Sequence, residues 1–303
     1  MPWISRLLAL ALSGTVLVAG CARPQASPEP PTTAPLTAVN ALGDFGTIDY
    51  CSLLDLPRVT GAGQVAQPPG PSFEWCRAQL TENNVHRVVM IGPLSTDVDP
   101  NLKPYDSYIG STPSGVSVQQ SAFNTDTTCT RVITFADGIR LNLSVTDVTT
   151  PGPADARCAK ADAAVGGALA AITAGKVGRL AFPDKSWGRV DPCPLIETHD
   201  LDAASGPETK LAPALSGHSC IRGKVSLRLS VDQAAAQGPT EALGGREARV
   251  STSGAFCTVD TAQGPPGRSE KAELIVVETA GDANDATCAA ARSAAAVVFP
   301  KLP

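Results

Sequence analysis

Apolar and polar residues alternate without a break from Ile139 to Val145. Ile139, Leu141, Leu143 and Val145 fall on one side, and Arg140, Asn142 and Ser144 on the other. That period of two predicts a strand buried on one face. Asp137-Gly138 just before it is a hairpin signal that joins it to a strand over 131–135. The same alternation returns at Val225, Leu227, Leu229 and Val231, set against Ser226, Arg228 and Ser230. An apolar run at 87–91 and segments at 247–252, 256–259 and 273–278 complete the predicted strands. Two Ala-rich stretches, 158–173 and 288–298, predict helices. Asp49 and Asp191 stand where N-caps belong, with Pro192 at a first helical position. Strands joined by hairpin-like links and followed by a helix predict an α+β fold: a mostly antiparallel sheet with helices on one face.

The pattern occurs twice. Asp49-Tyr50-Cys51-Ser52-Leu53-Leu54 matches Asp191-Pro192-Cys193-Pro194-Leu195-Ile196. Cys129-Thr130 matches Cys257-Thr258, Cys158-Ala159 matches Cys288-Ala289, and the halves end in Phe182-Pro183 and Phe299-Pro300. The order of these matches predicts an internal duplication into two small homologous domains, 45–183 and 184–303. A chain of 303 residues accommodates two domains of that size.

The N-terminus reads differently. Arg6 precedes an apolar run over 7–19, the length of a signal-peptide core rather than a comfortable membrane span. Leu17-Val18-Ala19-Gly20-Cys21 resembles the lipobox of bacterial lipoproteins. The resemblance implies a signal peptide over 1–20, cleavage after Gly20 and a thioether-linked diacylglyceryl group on Cys21. Two acyl chains suffice for stable anchoring. Pro24, Pro28, Pro30, Pro31 and Pro35 then predict an extended tether over 21–44, with Thr32 and Thr33 either bare or O-glycosylated. A net charge of −5 excludes a basic nucleic-acid binder.

Nine Cys are present; setting Cys21 aside leaves four per half. Export to an oxidising compartment favours disulfides. Four Cys allow three connectivities. Pairing first with second and third with fourth ties a helix Cys to a sheet Cys each time. This predicts Cys51–Cys76, Cys129–Cys158, Cys193–Cys220 and Cys257–Cys288. The spacing provides no C-x-x-C, so neither a zinc site nor a thioredoxin-like site is predicted.

With Asp191-Pro192-Cys193, the paired Cys and the lipobox in hand, the chain resembles actinobacterial cell-envelope lipoproteins whose shared domain has no assigned function. It is also similar in style to the extracellular sensor domains of mycobacterial-type serine/threonine kinases. The first half departs from the motif, having Tyr50 where the second has Pro192. The resemblance implies a place on the outer face of the cell membrane and a binding or sensing role toward an unidentified envelope ligand or protein. It supplies no catalytic residues.

Gly61-Ala62-Gly63 opens a dinucleotide-like pattern but follows no strand. Asp97, Asp99 and Asn101 have the opening spacing of a calcium loop without its position-six Gly or its twelfth ligand. His86, His199 and His218 read as surface or edge residues, Trp75 as a core residue over a disulfide, and Trp187 as packing between the halves. The expectation is a non-catalytic binding or sensing lipoprotein, without cofactor or metal, contacting its ligand through a sheet face or the groove between halves. The rivals are an envelope hydrolase using carboxylates and a purely structural envelope protein.

Overall fold

In the computed structural model, the described residues are 34–61, 64–97, 100–121, 126–207, 210–233, 240–263, 271–282 and 284–303. The leader, Cys21, Thr32 and Thr33, and also Ala62, Gly63 and Asp99, lie outside them.

The first half runs α1 (Ala38–Leu42), β1 (Ile48–Asp49), α2 (Leu56–Thr60), β2 (Gln64–Pro71), β3 (Cys76–Glu82), β4 (Val85–Ser95), β5 (Leu102–Pro104), β6 (Ser117–Ser121), β7 (Thr128–Thr134), β8 (Arg140–Asp147), α3 (Ala154–Thr173) and β9 (Gly178–Arg179). The second runs α4 (Cys193–Ile196), α5 (Asp202–Ser205), β10 (Leu211–Pro213), β11 (Ser219–Arg222), β12 (Val225–Gln233), β13 (Thr240–Leu243), β14 (Arg246–Ser253), β15 (Phe256–Ala262), β16 (Lys271–Ala280) and α6 (Asp285–Val298). Largely sheet is the better description: three antiparallel sheets carry a few helices, of which α3 and α6 are the long ones.

The two large sheets have the same strand order. One is β2-β3-β4-β8-β7-β6-β5 and the other β10-β11-β12-β16-β15-β14-β13. Their registers agree at the cysteines. Cys76 pairs with Ile91 and Ile91 with Leu143, as Cys220 pairs with Leu227 and Leu227 with Val277. Two residues further along, Cys129 faces Val145 and Cys257 faces Thr279. Along β8 burial follows the sequence alternation: Leu141, Leu143 and Val145 are fully buried while Asn142 and Ser144 are not. Helix α3 covers β7 and β8, and α6 covers β15 and β16.

Four bridges staple helix to sheet: Cys51–Cys76, Cys129–Cys158, Cys193–Cys220 and Cys257–Cys288, with Cα atoms 4.9–5.3 Å apart. The Asp side chains accept the same bond in both halves, but only Asp49 is an N-cap: Pro192, expected as the first helical residue, is itself the N-cap of α4, because the helix starts one residue later at Cys193. Cys51 N–H donates to Asp49 Oδ1 at 2.9 Å, and Cys193 N–H to Asp191 Oδ1 at 3.0 Å. The turns that follow differ: Tyr50–Leu53 is 3₁₀-helical and Cys193–Ile196 α-helical.

The spacer prediction over 21–44 ran too far. Thr37 caps α1, and Ala38 and Leu42 are fully buried in the first core. A five-residue helix is too short for periodicity to reveal, and the prolines before it dominate the composition. Residues 34–303 form one compact unit holding two cores. The cores exchange residues: Phe73 lies in the second, Leu215 packs on the first, and Leu180 and Phe182 already belong with the second.

Candidate functional site

A cavity of ≈ 520 Å³ opens on the first half. Arg58, Tyr108, Gly110, Ser111, Gly166, Leu169, Ala170, Thr173 and Ala174 line it. Three segments meet there: α2, the loop after β5, and the C-terminal half of α3.

Helix α3 supplies the floor. It carries Gly166-Gly167 inside an otherwise Ala-rich run, a pair that costs helix stability and so calls for a packing reason. The reason is close approach. A Cβ on Gly167 would sit 2.6 Å from Asp55 Cβ, and one on Gly166 would sit 2.6 Å from Arg58 Nη1. The two glycines form a notch into which α2 settles. Asp55 caps α2 by accepting the Arg58 N–H at 3.2 Å, and its other oxygen stands 3.5 Å from Arg58 Nε.

A buried ionic chain holds α2 in that notch. Lys160 of α3 donates from Nζ to the carbonyls of Val59 and Thr60, each at 3.2 Å, and meets Glu82 at 3.2 Å. Glu82 in turn accepts from Arg87 at 2.8 Å. Arg87 Nε stands 2.8 Å from Asp147 Oδ1, an ionic contact outside good hydrogen-bond alignment, and Asp147 Oδ2 accepts from Arg157 at 2.6 Å. The other wall is the loop. Tyr105 donates its hydroxyl to Asp162 at 2.9 Å, Arg131 Nε donates to the same carboxylate at 2.7 Å, and the Arg131 guanidinium lies 3.9 Å over the Tyr105 ring. Tyr108 then folds back over Gly110, where a Cβ would meet its hydroxyl at 2.4 Å. Burial pushes the Tyr108 pKa up, Arg58 pulls it down less strongly, and Asp162 adds to the rise, so the hydroxyl remains a donor at neutral pH.

The lining therefore joins an apolar floor to one guanidinium and a few hydroxyls. Pockets of roughly 300–1,000 Å³ with mostly apolar walls and a few polar groups are the usual form of small-molecule sites. Nothing of this kind is encoded at the matching places of the second half. Counting from the helix Cys, Gly166 and Gly167 correspond to Ala296 and Val297, Lys160 to Ala290, and Asp162 to Arg292.

A second polar cluster lies where the halves meet. Glu74, 5% exposed, accepts from Ser216 Oγ at 2.5 Å and Ser219 Oγ at 3.1 Å. His218, 4% exposed, faces the Gly46 carbonyl from Nε2 at 2.8 Å. A carbonyl only accepts, so Nε2 carries the proton, while Nδ1 is buried without a partner among the described residues. Phe73 and Phe182 pack on the imidazole, with centroids at 4.9 and 5.6 Å. A Ser-His-acid relay needs the imidazole between hydroxyl and carboxylate. Here the serines bond Glu74 directly and His218 bonds the backbone, so the cluster ties the halves together. Burial, then the charge of Glu74, drives the hydroxyl pKa of nearby Tyr50 upward. Val231 N–H donates to Ser72 Oγ at 3.0 Å, and Arg77 pairs with Asp232 at 3.0 Å.

These contacts correct several sequence readings. His218 is buried at the seam rather than on the surface, packed between Phe73 and Phe182 with its Nε2–H donating to the Gly46 carbonyl. The two tryptophans exchange roles: Trp187 is fully buried in the second core, its backbone N–H donating to Glu273, whereas Trp75 is half-buried beneath Arg228 at 5.5 Å, across the seam. The groove expected between the halves is filled at this seam by Phe73, Glu74 and His218. His86, beside Thr81, and His199, paired with Asp202, are exposed, in line with the surface reading of both. Gly61 closes α2, its N–H donating to the Pro57 carbonyl. The Asp97 carbonyl accepts from Arg140, and among the described residues no three His, Cys, Asp or Glu gather as metal ligands. The cavity itself escaped sequence reading; the Gly-Gly pair inside a helix was its one visible signal. No protein-family model matches the chain, and neither the curated proteins nor the solved structures include a match.

Proposed function

We propose that the chain is a cell-envelope lipoprotein, anchored through Cys21 on the outer face of the membrane, whose folded body is a non-catalytic small-molecule binding module. The observation that carries this reading is the cavity at α2, α3 and the Tyr108 loop, with an apolar floor and donor groups at its rim. Four disulfides support an oxidising, extracytoplasmic setting. Identical strand order and matching cysteine register support descent of both halves from one duplicated unit, in keeping with the resemblance to envelope lipoproteins. On this reading the first half acquired the Gly-Gly notch and the ion-pair chain, and the second half serves as its rigid support.

The test is uptake of Nile red, a neutral apolar dye, by the full chain. Saturable, blue-shifted emission is expected from the native protein. Ala170 is an exposed residue of α3 that lines the cavity, so Ala170→Phe fills the space without disturbing the core. It is expected to abolish uptake while leaving the circular dichroism unchanged. Native protein that takes up no dye, or an Ala170→Phe variant that binds like the parent, overturns the reading.

A further inference from the structure

We propose that the cavity takes a single-chain amphipathic anion, its oxyanion head between Arg58 and Tyr108 and its aliphatic tail along α3. This deepens the binding reading and rests on it.

The head assignment follows from what the rim offers. Every polar group lining the cavity is a potential donor, and none is a carboxylate. Asp55 engages Arg58 only at Nε and only at 3.5 Å, beyond ordinary hydrogen-bond distance. Nη1 lies over Gly166, and no hydrogen bond from either Nη to a protein acceptor is seen among the described residues. Tyr108 Oη lies on the same spot, 3.8 Å from where a Gly166 Cβ would be. A guanidinium and a phenol converging on one glycine make a two-donor seat for a carboxylate or phosphate oxygen pair. Ser111 adds a hydroxyl nearby. Thr173 does not, because its Oγ1 already donates to the Leu169 carbonyl at 2.7 Å.

The tail assignment follows from the floor. Gly166, Ala170 and Ala174 recur at intervals of four, and Leu169 and Thr173 form the row beside them. Gly166, Ala170, Thr173 and Ala174 make an accessible strip about 12 Å long, at 1.5 Å per helical residue, with Leu169 buried beneath it. One end lies beneath Arg58. Ile109, between the lining residues Tyr108 and Gly110, is fully solvent-exposed at 103%, an apolar side chain on the rim with no packing partner of its own. A straight chain with one charged end matches a strip with one cationic end. A cation is repelled, and a small anion lacks the tail that the floor would cover.

Isothermal titration calorimetry tests this on the full chain carrying Cys21→Ala, which keeps the protein free of detergent. The probes are decanoate, decyl phosphate, decanol, decyltrimethylammonium and inorganic phosphate, each below its micelle concentration. Both decyl anions are expected to bind, decanol at least about tenfold more weakly, and the cation and inorganic phosphate not measurably. The tighter of the two anions identifies the head as carboxylate or phosphate. Arg58→Gln is expected to bring decanoate down to the decanol level, and Ala170→Phe to abolish binding of every decyl probe. Equal affinity for decanol and decanoate, or no effect of Arg58→Gln, overturns the head assignment and leaves the cavity as a binding site. Decanoate binding that survives Ala170→Phe overturns both.

Discussion

Asp147→Asn removes one charge from the most enclosed ion cluster of the first half. The Asp147 side chain is fully buried, and Arg87 and Arg157 are each 2% exposed. Asp147 also accepts the Gly152 N–H at 2.8 Å. Asn keeps the size but replaces one acceptor oxygen by an N–H₂ donor facing donors. Two buried guanidiniums are then left with Glu82, itself 22% exposed, as their remaining carboxylate in the cluster. Removing one partner of a buried pair costs about 3–5 kcal/mol, since the other charge stays desolvated. At roughly 2–4 °C per kcal/mol for a body of this size, the melting temperature should fall by about 6–20 °C. Thermal unfolding by circular dichroism with the disulfides intact measures it, and urea midpoints check that the slope is unchanged. Asp184→Asn is the control: that carboxylate is 96% exposed beside Arg189 and should matter by no more than about 1 kcal/mol. If both variants shift stability equally, water reaches Asp147 and the cluster does not hold the first half together.

Phe73→Ala should cost about 3–5 kcal/mol, because a first-half side chain that fills the second core leaves a cavity there; calorimetry should also show the single transition broadening or splitting as the halves uncouple, and an unchanged peak contradicts the shared core. Hydrogen bonds from Arg222, and then from His199, hold the Asp202 carboxyl below its ordinary value of 3.8. The stability it contributes is therefore present above that unfolded value and lost as pH falls through the lower folded one. Urea midpoints across the acid limb should decline less steeply in Asp202→Asn, and superimposable limbs would rule this out. Cys21→Ala should move the protein from the membrane fraction to the soluble fraction, as retention in the membrane would not be compatible with a lipid anchor at that residue.

Much of the sheet was legible because alternation reports one-sided burial directly. Leu141, Leu143 and Val145 announce the inner face of β8, and Val225, Leu227 and Leu229 that of β12. The cysteine pairs were legible for a related reason: each joins a helix to the face it covers, and the structure places the same four pairs at bonding distance. The cavity was not, since periodicity states that a residue is buried but not against what. Phe73 carries no mark of belonging to the other core, nor Asp147 and Lys160 of being joined through Arg87 and Glu82. Those contacts depend on loops whose paths no local pattern encodes. The unequal fates of Trp75 and Trp187 follow from the same limit: the chain crosses from one core to the other after Arg179, a few residues before the sequence boundary at Pro183.

The most direct measurement is extraction of the protein purified from its native membranes, followed by mass spectrometry of what accompanies it. A single-chain amphipathic anion is expected in near-stoichiometric amount with the parent chain and none with Ala170→Phe. Equal recovery from both proteins, or from neither, would contradict it.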